Sequence, residues 1–182
     1  MKNMPRPWTI RTPTVEDAAA LGRMQNQGWK QAYQHFLPAW YYGPEREAQR
    51  IQKWTELLSQ GLAAGEKLRI AEDPAGAVVG FSHYGPAHSE EDPCPMELHS
   101  IYVLASHHGT GLADQLLEQT LGSGPAFLEM FKDNTRAQRY YLRHGFRVID
   151  GEWDVGQWRN DDAARGIKVI RMMREGKKDA HA

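Results

Sequence analysis

The sequence predicts a single-domain α/β fold built on a mixed sheet, and three observations carry that expectation. Strand-like runs alternate with helix-period segments along the chain. The apolar run Ile101-Tyr102-Val103-Leu104 passes through a glycine turn, His108-Gly109-Thr110-Gly111-Leu112-Ala113, into a helical pattern continued by Leu116, Leu117 and Leu121. A chain of 182 residues with 41% hydrophobic composition is long enough for one compact core and short for two. No internal repeat is visible.

Taken in order, residues 1–7 are polar or proline-rich and are expected to fray, as is the tail 174–182, leaving 8–173 as the domain. Trp8 to Arg11 reads as a short strand. Thr14-Val15-Glu16-Asp17 has the spacing of a capping box and opens a helix whose apolar side carries Leu21 and Met24, loosening at Gly28. After Pro38 and the aromatic run Trp40-Tyr41-Tyr42, Gly43-Pro44-Glu45 restarts a helix with Ile51, Trp54, Leu57 and Leu58 at helical spacing, ending near Gly61. Leu68–Glu72 and Ala77–Tyr84 form a hairpin around Asp73-Pro74-Ala75-Gly76, where Pro and Gly suit a turn. A polar loop over 85–95 precedes the strand Met96–Leu104. Beyond the glycine-turn helix and the breakers Gly122, Gly124 and Pro125, Ala126–Phe131 is the next strand. Asp133 or Asn134 caps a helix running to His144, with Gly145 as its stop. Phe146–Asp150 and Ile167–Met173 are the last strands, joined by a loop rich in Trp, Asp and Gly. The expected order is β-α-α-β-β-β-α-β-α-β-β.

Charge and composition exclude several classes of function. With 22 Lys and Arg against 23 Asp and Glu, the chain has no overall basic field of the kind that nucleic-acid binding requires. Cys94 is the single cysteine, so no intrachain disulfide is expected, and a covalent cysteine route is poorly supported. The first residues lack the apolar core of a signal peptide, and no run approaches membrane-spanning length, so the expectation is a soluble, cytoplasmic protein without a membrane partner. The eight histidines are scattered without zinc-type spacing, and no metal site is expected.

A glycine turn that opens a helix lets backbone N–H groups approach an anion, and the helix N-terminus adds roughly half a positive charge aimed the same way. On its own this fits a phosphate site or an ordinary strand-to-helix connection equally well. A second element lies downstream: Asn134, Ala137, Tyr141, and Gly145-Phe146. Together the two resemble the GNAT superfamily of acyl-CoA-dependent N-acetyltransferases, over most of the chain. That family writes its phosphate loop Arg/Gln-x-x-Gly-x-Gly/Ala, and Gly111 and Ala113 occupy the small-residue positions. His108 departs from the pattern, standing where Arg or Gln is usual, so pH-dependent affinity near an imidazole pKa of about 6.5 is one expectation.

The resemblance implies a GNAT-like fold, a predominantly antiparallel sheet in which the strands at 96–104 and 126–131 splay apart and admit the pantetheine arm. It implies acetyl-CoA as co-substrate, held by Ile101, Tyr102, Val103, His108, Gly109, Thr110, Gly111, Leu112, Ala113, Asn134 and Tyr141. The backbone N–H groups of Ile101 to Val103 are the expected oxyanion donors. Acyl transfer to an amine also needs a neutral nucleophile. Deprotonating an alkylamine of pKa about 10.4 at pH 7 costs about 4–5 kcal/mol, so a positioned base is useful. Glu97 resembles the general base that some members carry at this place, although a carboxylate at a strand start also suits a solvated edge or an ion pair. Tyr141 is the expected donor to the departing thiolate, its alternative being a core aromatic beside Tyr140. Asn134 is an N-cap with or without a pantetheine contact. Arg136, Arg139 and Arg143 form one stripe, solvated or facing the 3′-phosphate.

For the acceptor, the family's pocket walls nominate Trp29, Tyr33, Tyr84 and the 87–95 loop, whose aromatic character suits an amine or a flat ring. Glu90-Glu91-Asp92 either attracts a cation or is a solvated loop. Trp40, Tyr41 and Tyr42 are core, pocket or a dimer face. The leading expectation is an N-acetyltransferase acting by direct attack on a small-molecule or protein amine, as a monomer or homodimer. The alternative is an acyl-CoA-binding sensor or interaction module of the same fold with little catalysis.

Overall fold

The structure, a computed structural model, describes residues 7–176. Of the termini expected to fray, 1–6 and 177–182 lie outside the described residues. Among the described residues seven strands form one sheet: β1 (Thr9–Arg11), β2 (Lys67–Glu72), β3 (Val78–Pro86), β4 (Met96–Val103), β5 (Ala126–Phe131), β6 (Arg147–Asp154) and β7 (Lys168–Arg174). Their spatial order is β1-β2-β3-β4-β5-β7-β6, and every neighbouring pair is antiparallel except β4 and β5. The helices are α1 (Ala18–Tyr33), α2 (Pro44–Gln60), α3 (Leu112–Thr120), α4 (Thr135–Arg143) and α5 (Val155–Arg159). None is long and apolar enough to cross a membrane.

The two faces of the sheet are covered by different helices. On one, Leu21 and Met24 of α1 and Trp54 of α2 bury against Leu68, Ile70 and Phe81. On the other, Leu112 and Leu116 of α3 pack on Ala71 and Val79, while Ala137, Tyr140 and Tyr141 of α4 close over Leu98, Leu128 and Met172. A strand sandwiched this way is buried on both faces, and β3 is accordingly a continuous buried run from Val78 to Ser82.

Local chemistry explains the element ends. The Asp17 carboxylate accepts the Thr14 backbone N–H at 2.7 Å and is gripped by Arg11, which also reaches Glu72, so one guanidinium ties β1, β2 and the start of α1 together. Arg11 holds the Asp17 carboxyl at about 2. Gly61 ends α2 at φ 84°, and the Asp73 carboxylate accepts the N–H groups of Ala75 and Ala77 to close the β2–β3 turn.

Three sequence expectations are corrected. α1 does not loosen at Gly28 but continues to Tyr33, and Gly28 lies directly against Tyr102 of β4, where an added Cβ would stand 3.3 Å from the ring. The segment between the last two strands contains α5, whose cap Asp154 accepts the Gln157 N–H at 3.1 Å. The last strand runs on to Arg174, which is buried and donates to the carbonyls of Gly122, Gly124 and His144.

Gly22 sets the approach of α1 to α2. A Cβ there would lie 2.6 Å from Ile51 Cγ1 and 2.8 Å from Ile51 Cα, so a rotamer change cannot relieve it. Gly22→Ala gains about 1 kcal/mol of helix propensity but forces backbone apart, at about 3 kcal/mol. The expected net loss of about 2 kcal/mol lowers Tm by roughly 4–8 °C. An unchanged or raised melting temperature would show that the helices do not meet at this glycine.

Candidate active site

The site begins with an irregularity in β4. His83 pairs with Ser100 but Tyr84 pairs with Leu98, so His99 is an extra residue, a β-bulge. In an unbroken strand Glu97 and Tyr102, five apart, would face opposite sides of the sheet. The bulge changes the phase. Glu97, His99 and Tyr102 line one cavity, while Leu98, Ile101 and Val103 pack toward the α3 side.

A second irregularity lies beside it. β4 and β5 share a single pairing, Glu97 with Phe127, and then diverge. From Leu98 to Val103 one edge of β4 has no strand partner among the described residues, and its backbone groups face the gap. Two cavities open there. The smaller, of about 480 Å³, is lined by Ile101, Tyr102, Val103, His108, Ala113, Asn134, Arg136 and Tyr141 among others. The larger, of about 630 Å³, is lined by Trp29, Tyr41, Glu97, Trp153, Trp158, Arg159 and Arg171 among others. Tyr33, His99, Ser100, Tyr102, Glu129 and Met130 border both, so the two meet at the splay.

Phenol groups gather at that junction. The hydroxyls of Tyr33 and Tyr102 are 3.1 Å apart. Burial raises the Tyr102 pKa well above 10, with Tyr33 adding to the effect. Tyr141 is likewise pushed up by burial and then by Tyr33. For Tyr33 burial also dominates, opposed by hydrogen bonding to Tyr102 and Asn134. All three therefore stay protonated donors at neutral pH. Asn134 caps α4 by accepting the Ala137 N–H at 3.1 Å, which leaves its amide nitrogen turned to this junction.

At the outer end of the smaller cavity, Gly109 and Gly111 adopt φ of 74° and 86°, and Gly111 caps α3. The first N–H groups of α3 have no intrahelical acceptor, so they point outward with the helix dipole. His108 does not point with them. Its Nε2 contacts the Val103 carbonyl at 2.9 Å, and Arg136 bonds to its Nδ1. A carbonyl only accepts and a guanidinium only donates, which requires the neutral Nε2–H tautomer. Desolvation lowers the His108 pKa, and Arg136 lowers it further against the Val103 carbonyl. With both nitrogens engaged, the His108 ring is spent on structure, and the cation at this mouth is Arg136.

The larger cavity is walled by aromatics and arginines. Trp29 stacks edge-on against Tyr33 and Phe131, with the Arg50 guanidinium 4.7 Å above its ring. The Trp29 indole N–H is buried without a hydrogen-bond partner among the described residues. Arg171 bonds to Glu129 and reaches Asp92 at 3.2 Å, which fastens the 87–95 loop to β7.

A family model described as an acetyltransferase (GNAT) domain matches residues 64–148, which contain β2 to α4 and hence the bulge, the splay and the glycine turn. Over those residues, just under half of the chain, the sequence matches the GNAT acetyltransferase family. An uncharacterised N-acetyltransferase of Bacillus subtilis (strain 168), YuaI, is 25% identical over 138 residues, 76% of this chain and 66% of its own length. A Mycobacterium tuberculosis N-acetyltransferase, Rv2669, is 35% identical over 94 residues, covering 44% of this chain and 60% of its own. The chain thus spans slightly under two thirds of these curated relatives. Among solved structures, the PaiA N-acetyltransferase of Thermoplasma acidophilum, in complex with coenzyme A, superposes with TM-score 0.67 at 16% identity, covering 92% of this chain and 98% of that one. YncA of Salmonella typhimurium, solved with its cofactor acetyl-CoA, gives 0.66 at 20% identity, covering 96% and 97%.

In this GNAT fold, Glu97, Trp29 and Tyr33 come together around the larger cavity, and Ile101 to Val103, Asn134 and Tyr141 around the smaller. Tyr84 is elsewhere. It is buried on the α3 side with its hydroxyl donating to the Pro125 carbonyl at 3.0 Å, and it borders neither cavity. The Leu112 side chain is also core, so only its backbone faces the turn. Tyr41 lines the larger cavity while bonding to Asp161. The sequence reading missed Trp153, Trp158, Arg159 and Arg171. Trp153, Trp158 and Arg159 lie in the Trp-rich stretch taken as a plain loop, and Arg171 lies within the last strand.

His108 carries a pH consequence. Its folded pKa lies below its unfolded value, so its contribution to stability is present above pH of about 6.5 and is lost as pH falls toward the folded value. Imidazole nitrogen spectra are expected to show the neutral Nε2–H tautomer at pH 7, and His108→Gln to flatten stability between pH 7 and 5. An imidazolium signature at pH 7 would contradict the assignment.

Proposed function

We propose that this chain is an N-acetyltransferase that moves an acetyl group from acetyl-CoA to a primary amine by direct attack. The observation that carries the reading is the meeting of two cavities at the β4–β5 splay, with potential proton acceptors and donors on opposite sides of it. The smaller cavity suits an extended coenzyme arm, and structural neighbours bind coenzyme A or acetyl-CoA. Its mouth has the N–H groups of residues 109–113 for a diphosphate, with Arg136 beside them. The larger cavity suits the amine, whose cationic form is attracted to Glu97 and to the aromatic faces of Trp29 and Trp153.

The residues divide the work as follows. Glu97 accepts a proton from the entering ammonium, directly or through water, and so offsets the cost of presenting a neutral amine. The nitrogen lone pair attacks the thioester carbonyl, and the unpaired edge of β4 over Ile101–Val103 offers backbone N–H groups to the developing oxyanion. As the C–S bond breaks, Tyr141 donates a hydrogen bond to sulfur. Its raised pKa makes a lasting phenolate unfavourable, so the net proton on the product thiol derives from the amine. Amide and free coenzyme A leave from opposite sides. Asn134, fixed as a helix cap, is placed to meet the amides of the arm. The cytoplasmic setting expected from the sequence belongs to this reading.

Thiol release measured across a panel of small amines and peptide N-termini tests the activity, and absence of turnover with every acceptor would reject it. Acetyl-CoA at about 100 times its Kd is expected to stabilise the fold by about 2.7 kcal/mol, a shift of several degrees. Tyr141→Phe is expected to slow thiol release about 100-fold while leaving that shift intact. Unchanged turnover in the variant would remove Tyr141 from the chemistry.

A further inference from the structure

Glu97 is not alone in the larger cavity. His99 Nδ1 lies 3.2 Å from its Oε2, and His88 Nε2 lies 3.9 Å from the same oxygen. One ligand atom from each of the three residues falls within 4.8 Å of the others. The spacing arises from the fold. Glu97 and His99 are two apart on β4 and share a face, and Ala87 N–H bonds to the Pro95 carbonyl at 2.9 Å, which brings His88 across from Glu97. Asp92, held by Arg171 and accepting the Ser89 N–H at 3.0 Å, shapes the loop just beyond His88.

The pieces differ in exposure. The side chains of Glu97 and His99 are each only 12% exposed, whereas that of His88 is 79% exposed. Two ligands are therefore buried side by side and the third sits on the surface with its ring 5.0 Å from that of His99, near enough for all three to meet an ion at metal–ligand distances of about 2.0–2.2 Å after a small rotation of the His88 side chain. Around them, the His83 ring packs on His99 at 4.7 Å between centroids, and Glu66 holds His83 Nε2 at 2.6 Å. That provides a second layer of imidazole and carboxylate behind the first.

We propose that His88, Glu97 and His99 form a binding site for a zinc-class divalent cation at the edge of the acceptor cavity, and that occupancy shuts off acetyl transfer. Two imidazoles and one carboxylate suit zinc and its neighbours over calcium or magnesium, which prefer all-oxygen sets. The fourth position opens toward the cavity that Glu97 and His99 line. The inhibitory half rests on the acetyltransferase reading, because the metal takes the carboxylate oxygen that would otherwise accept the amine's proton. The binding half does not rest on it. In the metal-free protein His99 Nδ1 faces a carboxylate and carries the proton. The cation takes Nδ1, and a neutral His99 shifts its proton to Nε2.

Zinc titration followed by calorimetry and imidazole nitrogen spectra tests the site on the full chain. Expected are one zinc per chain at micromolar affinity or tighter, a change of His99 to the Nε2–H tautomer, and loss of affinity by tenfold or more in His88→Ala. Cobalt in place of zinc is expected to give the visible bands of a four- or five-coordinate ion. Lack of saturable binding, or binding that leaves the His88 and His99 resonances unmoved or is unchanged in His88→Ala, would overturn the site. In chelator-treated protein, zinc is expected to inhibit thiol release one for one, and His88→Ala to keep metal-free turnover and escape inhibition. Binding at these residues with turnover unaffected would overturn the inhibitory half. Absence of turnover with every amine after chelation would reject the acetyltransferase reading and with it the inhibitory half, leaving the binding result standing by itself.

Discussion

The divergence of β4 from β5 after a single pairing is the constraint on which the rest of the molecule depends. A parallel pair normally satisfies its backbone groups along its whole length, and a strand edge left open inside a protein is costly unless something polar occupies it. Here the edge is left open from Leu98 to Val103, with cavities on both sides of the gap. The remaining pairs in the sheet, β1 to β4 and β5 with β7 and β6, are antiparallel ladders that hold each half rigid. The gap is thus a seam between two stiff halves, and α3, α4 and α1 are the elements that border it.

The bulge at His99 acts together with the seam. One inserted residue places Glu97, His99 and Tyr102 on the same side of the sheet while keeping Leu98 and Ile101 in the opposite core. An extra residue costs ladder hydrogen bonds and turns onto one face side chains that would otherwise alternate. Tyr102 finds Tyr33, and Glu97 and His99 find each other. Polar side chains thus meet beside the bulge, and they are the side chains with chemistry to offer.

The pattern of what was legible in the sequence follows from how local each cause is. The β2–β3 turn was readable because Asp73 bonds to Ala75 and Ala77 within the same few residues, and α4 because Asn134 caps it from the adjacent position. The false end of α1 at Gly28 came from reading as local a glycine whose cause is distant, the ring of Tyr102. Five residues of α5 span little more than one turn, too short for periodicity to register. Tyr84 was nominated from the walls the family resemblance implies, at a position whose face the sequence left open. The bulge that decides which β4 and β3 residues share a face alters register without altering composition, so it leaves no mark in the sequence. His88 was invisible for the same kind of reason, since a loop neck rather than a spacing brings it to Glu97.

His108 shows how a departure from a family pattern is absorbed by its surroundings. A histidine at the start of the phosphate loop could in principle have supplied a cation only at low pH. With the Val103 carbonyl on Nε2 and Arg136 on Nδ1, it becomes a neutral strut between the end of β4 and the start of α4. The positive charge moves with that strut to Arg136, a permanently charged group on the opposite side of the same mouth. The imidazole also orients the guanidinium, so one neutral ring determines where the fixed charge stands. The loop keeps its backbone donors and borrows its cation from α4, across the seam that the splay of β4 and β5 created.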